Sequence, residues 1–334
     1  MSESTRHRMK KILPKITLSV VGLASTLMLG GCNLVIMDPK GTVGQGEKQL
    51  IIMSVIAMLC IVIPVIIATL LVAYRYRKSN TNATYAPKWD FSTTIEILVW
   101  GIPMCLIAFL AYHTYVSSHE LDPYKPIAAP ADNPNVKPIK IQVVALNWKW
   151  LFIYPEYGIA TVNEMAIPVN TPVAFRLTSD ATMNSFWIPQ LGSQVYVMAG
   201  MQTQLHLMAT SPSAEGYRGV SNNYSGAGYS DMKFRAIATD QKGFDEWVEK
   251  VKASSKQLDG KDGDAYKHLK NNQMEYAKQN EGNVLPEPVQ YFGTVKHHLF
   301  DDIVMQYNHG HYEVDTHGNP QAVPTQSNDN HSGE

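Results

Sequence analysis

Tyr217-Arg218-Gly219-Val220-Ser221-Asn222-Asn223-Tyr224-Ser225-Gly226-Ala227-Gly228-Tyr229-Ser230-Asp231-Met232 is a polar, glycine-rich stretch of hydroxyls and amides that ends on a thioether. The residues before it have strand character. Val173, Phe175 and Leu177 recur at every second position, as do Val195 and Val197, then Leu205 and Leu207. Further out, Ile139, Ile141 and Val143 alternate with Lys140 and Gln142. A period of two lines one face of a strand with apolar side chains. Short strands separated by Pro- and Gly-rich turns predict a β-sandwich. It is expected over residues 138–240, behind a linker at 117–137 that carries Pro123, Pro126, Pro130 and Pro134.

The 334-residue chain has a net charge of −1 and 17% charged residues, so no basic surplus points to nucleic acid. Its first third is apolar and the remainder polar. Arg6, Arg8, Lys10 and Lys11 precede an apolar run from Ile16 to Leu29, which ends at Leu29-Gly30-Gly31-Cys32. This is the layout of a secretory signal with a bacterial lipoprotein cleavage box. Residues 1–31 are expected to be removed and Cys32 to carry a lipid. Residues 32–49 would then lie outside the cytoplasmic membrane.

Two apolar segments follow, a first span at 50–74 and a second at 91–116. Leu50 to Ala73 carries no charged residue, and its length suffices for a hydrocarbon core of about 30 Å. Arg75, Arg77, Lys78 and Lys88 fall in the intervening segment, 75–90, which the positive-inside rule places in the cytoplasm. Both outer ends of the hairpin therefore face the periplasm. Cys60 and Cys105 are expected to be inert buried thiols. Glu96 is an ionisable group within a span, which is costly, and it reads either as a carboxylate snorkelling to the interface or as a group on a proton pathway.

The loop also resembles a known metal site. Subunit II of the haem–copper respiratory oxidases carries His-Ser-Phe, then Cys-x-Glu-x-Cys-Gly-x-x-His-x-x-Met, around a dinuclear copper. In this chain Asn184 and Tyr229 stand at the imidazole positions, Ser221 and Ser225 at the thiolate positions, and Asn223 at the glutamate position. Met232 alone is retained. Thr93-Thr94-Ile95-Glu96-Ile97, Asn147-Trp148-Lys149-Trp150 and Met198-Ala199-Gly200-Met201 resemble further motifs of that family, in the family's order. Copper selects thiolate, imidazole and thioether, so loss of those ligands points to the quinol-oxidising branch, with cytochrome bo-type ubiquinol oxidases as the nearest match.

The resemblance implies a two-helix transmembrane hairpin, a cupredoxin-like Greek-key β-sandwich and a C-terminal helical arm over 241–313. The polar tail 314–334 is expected to be disordered. The resemblance also implies that this chain binds no cofactor, with haems and copper held by subunit I. The expected partners are subunit I, small membrane subunits and membrane lipid, with ubiquinol as substrate of the complex and no role for cytochrome c. Glu96 would stand at the entrance of a proton channel. The former copper loop is expected to close up through hydrogen bonds among Ser221, Asn222, Asn223, Ser225 and Tyr229. Trp148 and Trp150 are expected to pack, and His309 and His311 to be solvated. A copper-bearing cytochrome c oxidase subunit would need two loop cysteines, and no cysteine follows Cys105. The remaining competitor is a free-standing membrane lipoprotein with a cupredoxin-like binding domain.

Overall fold

A computed structural model describes residues 34–84, 86, 88–131, 133–279, 288–307, 312–314 and 320–322. The signal segment, Cys32, His309 and His311 lie outside these. Residues 35–37 form a short 3-10 turn, and the chain from Pro39 onward forms a separate unit.

Helix α1 (Thr42–Arg75) and helix α2 (Thr93–Glu120) are the two long helices. Each is apolar around its whole circumference, which suits a span rather than an amphipathic surface helix. Each is long and apolar enough to cross a membrane. Pro64 and Pro103 sit inside them. Cys60 and Cys105 are exposed on these helices, not buried. Hydrophobic sequence alone does not distinguish a protein interior from a lipid-facing surface.

The first turns of α1 are joined to the domain beyond the hairpin. Gly44 N donates to Leu191 O (2.9 Å), Lys40 N to Gln190 O (2.7 Å) and Thr42 N to Met208 O (3.3 Å). Ser193 Oγ donates to Glu47 Oε1 (3.1 Å). Gly192 makes this approach possible: its φ of +142° is a glycine conformation, and a Cβ there would meet Val43 at 2.7 Å.

The sandwich is built from β1 (Ile139–Leu146), β2 (Lys149–Tyr154), β3 (Ile159–Val162), β4 (Glu164–Pro168), β5 (Val173–Ser179), β6 (Asn184–Ile188), β7 (Gly192–Val197), β8 (Thr203–Leu207), β9 (Ser213–Ser221) and β10 (Lys233–Thr239), with one edge strand added from the C-terminal arm. After them come α3 (Gln241–Lys252), β11 (Gln257–Leu258), α4 (Asp264–Gln279), β12 (Gln290–Phe292), β13 (Thr294–Val295) and α5 (Leu299–Met305). One sheet has the order β12-β3-β2-β1-β5-β8 and the other β4-β10-β9-β6-β7. β1 pairs with β5 and β4 with β10 in parallel, while the other ladders of these two sheets are antiparallel. This is a Greek-key sandwich of the cupredoxin kind.

The inner faces meet in an aromatic core. Phe186 and Phe234 stack with centroids 5.0 Å apart, and Trp150 meets Phe186 edge-on at 5.3 Å. The outer face of the six-stranded sheet is buried too. Val144, Leu146, Leu151, Ile153, Ala160 and Val162 pack against Leu258, Tyr266, Leu269, Phe292, Phe300 and Ile303 of the arm. That explains the run Val143-Val144-Ala145-Leu146, where alternation gives way to continuous apolar residues: a strand buried on both faces has no polar side. Val314, expected to begin a disordered tail, instead ends β14 (Tyr312–Val314), which pairs with β15 (Pro320–Ala322).

Candidate functional site

The positions that resemble the family's copper ligands lie on two facing segments. Asn184 opens β6, after the 180–183 loop, and Ser221 closes β9 before the 222–232 loop. Ladder pairing of Phe186 with Ser221 holds the two together. Ser221 Oγ donates to Asn184 Oδ1 at 3.0 Å, and Asn184 Nδ2 to Thr182 O at 2.9 Å. Asn222 N donates to Ser185 Oγ at 2.6 Å, and Asn223 Nδ2 to Met183 O at 2.9 Å. Ser225 Oγ points at Met232 Sδ, 3.9 Å away. Asn184, Ser221 and Met232 are buried. Tyr229 differs from expectation: its ring packs edge-on against Tyr224 (5.6 Å) and its N–H donates to Gly226 O (3.1 Å), so its hydroxyl stays out of the serine–asparagine network.

This set does not fit a dinuclear copper. It offers amide, hydroxyl and phenol groups and one thioether, a poor match to a soft metal, and its buried polar atoms bond to one another. Among the described residues no group of three or more His, Cys, Asp or Glu side chains could hold a metal ion.

Trp148 and Trp150 both pack. Trp150 is in the inner core. Trp148, at a φ of 56°, lays its indole over the 226–228 turn and donates Nε1–H to Ser225 O at 2.8 Å. A Cβ on Gly228 would come within 2.5 Å of that ring. Glu96 lies in the first turn of α2 and is exposed on the isolated chain. A carboxylate there is favoured by the helix dipole. His113 is flanked by the rings of Phe109 (4.5 Å) and Tyr112 (5.4 Å).

Reading the sequence missed a set of buried polar anchors between the sandwich and the arm. Asp180, 1% exposed, accepts from Tyr266 Oη (2.7 Å), Lys270 Nζ (2.7 Å), Gln306 Nε2 (2.5 Å) and Tyr307 Oη (2.6 Å). Lys149, wholly buried, donates to Leu269 O (2.6 Å) and to Asn272 Oδ1. Glu164 accepts from Tyr291 Oη (2.5 Å), and Arg176 pairs with Asp301 (2.9 Å) while lying over the Phe300 ring. The one sequence signal was Lys149 itself, a charge set within an aromatic run.

These anchors have a pH signature. Burial first, and the adjoining carboxylate second, raises the phenols of Tyr266, Tyr291 and Tyr307 above the ordinary tyrosine value. A raised folded-state pKa contributes stability that is complete below the unfolded value, about 10, and is lost as pH climbs through the folded values. Docking of the arm is therefore expected to hold at neutral pH and to fail only above about pH 10. Tyrosinate absorbance and hydrogen exchange of the arm should rise together.

Two helices long and apolar enough to cross a membrane, followed by a cupredoxin-like sandwich, match the architecture of the subunit II class of haem–copper oxidases. The COX Aromatic Rich Motif matches residues 252–311. Ubiquinol oxidase subunit 2 of Acetobacter aceti is 54% identical over 86% of this chain and 88% of its own length. Cytochrome bo(3) ubiquinol oxidase subunit 2 of Pseudomonas aeruginosa is 48% identical over 90% of this chain and 85% of its own. The solved periplasmic domain of cytochrome oxidase subunit II of Bradyrhizobium japonicum aligns with 37% of this chain and 96% of that one, at 20% identity and a TM-score of 0.33. The chain belongs to the ubiquinol oxidase subunit 2 family.

Proposed function

We propose that this chain is the second subunit of a proton-translocating ubiquinol oxidase in a bacterial cytoplasmic membrane. Electrons pass from ubiquinol to oxygen through haems and copper in subunit I, and this chain holds no redox centre of its own. The observation that carries the reading is the hydrogen-bonded set Asn184, Ser221, Asn223, Ser225 and Met232, at positions where a copper-bearing relative would present metal ligands. A membrane-dissolved donor needs no water-facing electron relay, so cytochrome c has no role. The competing reading, a free-standing lipoprotein, is disfavoured because relatives at 54% and 48% identity are named as oxidase subunits.

In this reading residues 1–31 are the signal peptide, Cys32 is the lipid attachment site, and the loop at 75–90 is cytoplasmic. The sandwich and arm stand on the periplasmic side. The lipid supplements an anchor already provided by two spans. Glu96 lies near the cytoplasmic end of α2 and serves as a proton acceptor at the entrance of a channel in subunit I. A carboxylate suits that task, because it can take up and release a proton where it lies within hydrogen-bond reach of a water chain.

The direct test is metal and haem analysis of the membrane complex captured through this chain, with oxygen uptake on ubiquinol and on reduced cytochrome c. Haem, copper and quinol-only activity are expected. A capture with no haem, or activity on cytochrome c, sinks the proposal. Within the complex, Glu96→Gln should lower ubiquinol turnover about tenfold or more with haem content unchanged. Turnover at the unaltered rate would remove Glu96 from the path.

A further inference from the structure

We propose that the aromatic-rich arm braces the two loops that face each other at the former ligand positions, doing the cross-linking a metal would do. The oxidase reading is not needed for this, which stands on two chains of contact.

The first chain runs through Asp180. Four donors from α4 and the segment after α5 converge on its carboxylate. Asp180 begins the short connection into β6. Its N–H is fixed to Ala145 O (2.9 Å), and the neighbouring Ser179 Oγ accepts from Ala181 N–H (3.1 Å) and can donate to Thr182 O (3.0 Å). Asn184 then bonds Thr182 O, and Ser221 bonds Asn184. The arm thereby reaches the start of β6 and, across it, the end of β9.

The second chain runs through the Asn147–Lys149 turn, whose three side chains divide between two destinations. Asn147 Nδ2 donates to Lys270 O (3.2 Å) and Lys149 Nζ to Leu269 O, both on α4. Trp148, between them, is directed to the other side and seats on Ser225 and the 226–228 turn. Its left-handed backbone sends successive side chains to these two places. One turn of chain therefore joins α4 to the second loop.

Both loops are thus tied to the same helix by buried polar groups, and neither tie passes through the former ligands alone. Buried, fully satisfied networks of this kind specify one arrangement. Loops of small polar residues otherwise open at low cost. The arm keeps this end of the sandwich in a single shape without a metal.

Hydrogen exchange of the full chain in its purified membrane complex tests this, comparing wild type with Asp180→Asn and Lys149→Met. In Asp180→Asn, exchange should rise about tenfold in residues 181–185 and 221–224 as well as in the arm. In Lys149→Met it should rise chiefly in residues 225–229. In both, β1 and β5 should keep their protection. Loosening of the arm with both loops unchanged would overturn the proposal, because the arm would then be only a passenger. A uniform rise across β1 and β5 would also overturn it, since the locks would then hold the whole fold and not these loops.

Discussion

Changing Asn184 and Tyr229 to His, and Ser221 and Ser225 to Cys, should give a chain that takes up copper. The backbone frame needed for this is present. Asn184 and Ser221 side chains already touch at 3.0 Å, and Ser225 already faces Met232. The four substitutions supply two thiolates and two imidazoles beside a thioether, the ligand types that copper selects. The expected result is two coppers bound per chain, with strong visible absorption from thiolate-to-copper charge transfer. Wild type, dosed identically, should show neither. Binding of less than one copper per chain would mean that the loops have moved away from the ligand geometry. Tyr229 is the position most exposed to that outcome, because its ring now packs on Tyr224 and must be replaced by an imidazole turned toward the serine positions.

Replacing Lys149 by Ala should be the most damaging single change on the arm side. Lys149 Nζ serves Leu269 O and Asn272 Oδ1 in a site closed to water. Its removal takes a charged donor from Leu269 O, at roughly 1–3 kcal/mol, and from Asn272 Oδ1, which keeps a bond from Gln273 N–H (2.7 Å), and it deletes the packing of a four-carbon stem. The loss should fall on the arm: α4 becomes protease-sensitive in the detergent-solubilised chain at denaturant concentrations that leave the sandwich core folded. Lys149→Met keeps the stem and should cost less. Equal losses for the two variants would show that the ammonium, and not the stem, accounts for the whole effect. No loss in either would show that the arm is held by its apolar face alone.

The hairpin and sandwich were legible because their signals are local. Uncharged runs of span length and strands of period two depend on neighbours a few residues apart. The resemblance to a copper site was legible for a different reason, since six positions have the spacing of the family's motif although only Met232 has its ligand type. The arm's grip was not legible, because Asp180 is joined to Tyr266, Lys270, Gln306 and Tyr307 across a separation of 86 to 127 residues. An aspartate in a loop reads as solvated, and nothing near it in sequence announces four donors. The doubly buried half of β1 could have been noticed, since Val143-Val144-Ala145-Leu146 has no polar face. The exposed cysteines on α1 and α2 show the opposite limit: sequence reports that a surface avoids water but not what meets it instead.

The N-terminal end of α1 does more than begin a long apolar helix. Because its first turns are bonded directly to residues 190–191 and to Met208, the sandwich has no free hinge on that side and rides on α1 as a flag rides on its pole. Any change in the tilt of α1, from bilayer thickness or from neighbouring helices, is delivered to the whole outer domain as a rotation and is not absorbed by a flexible stalk. The orientation of the sandwich is therefore set by the helix that carries it.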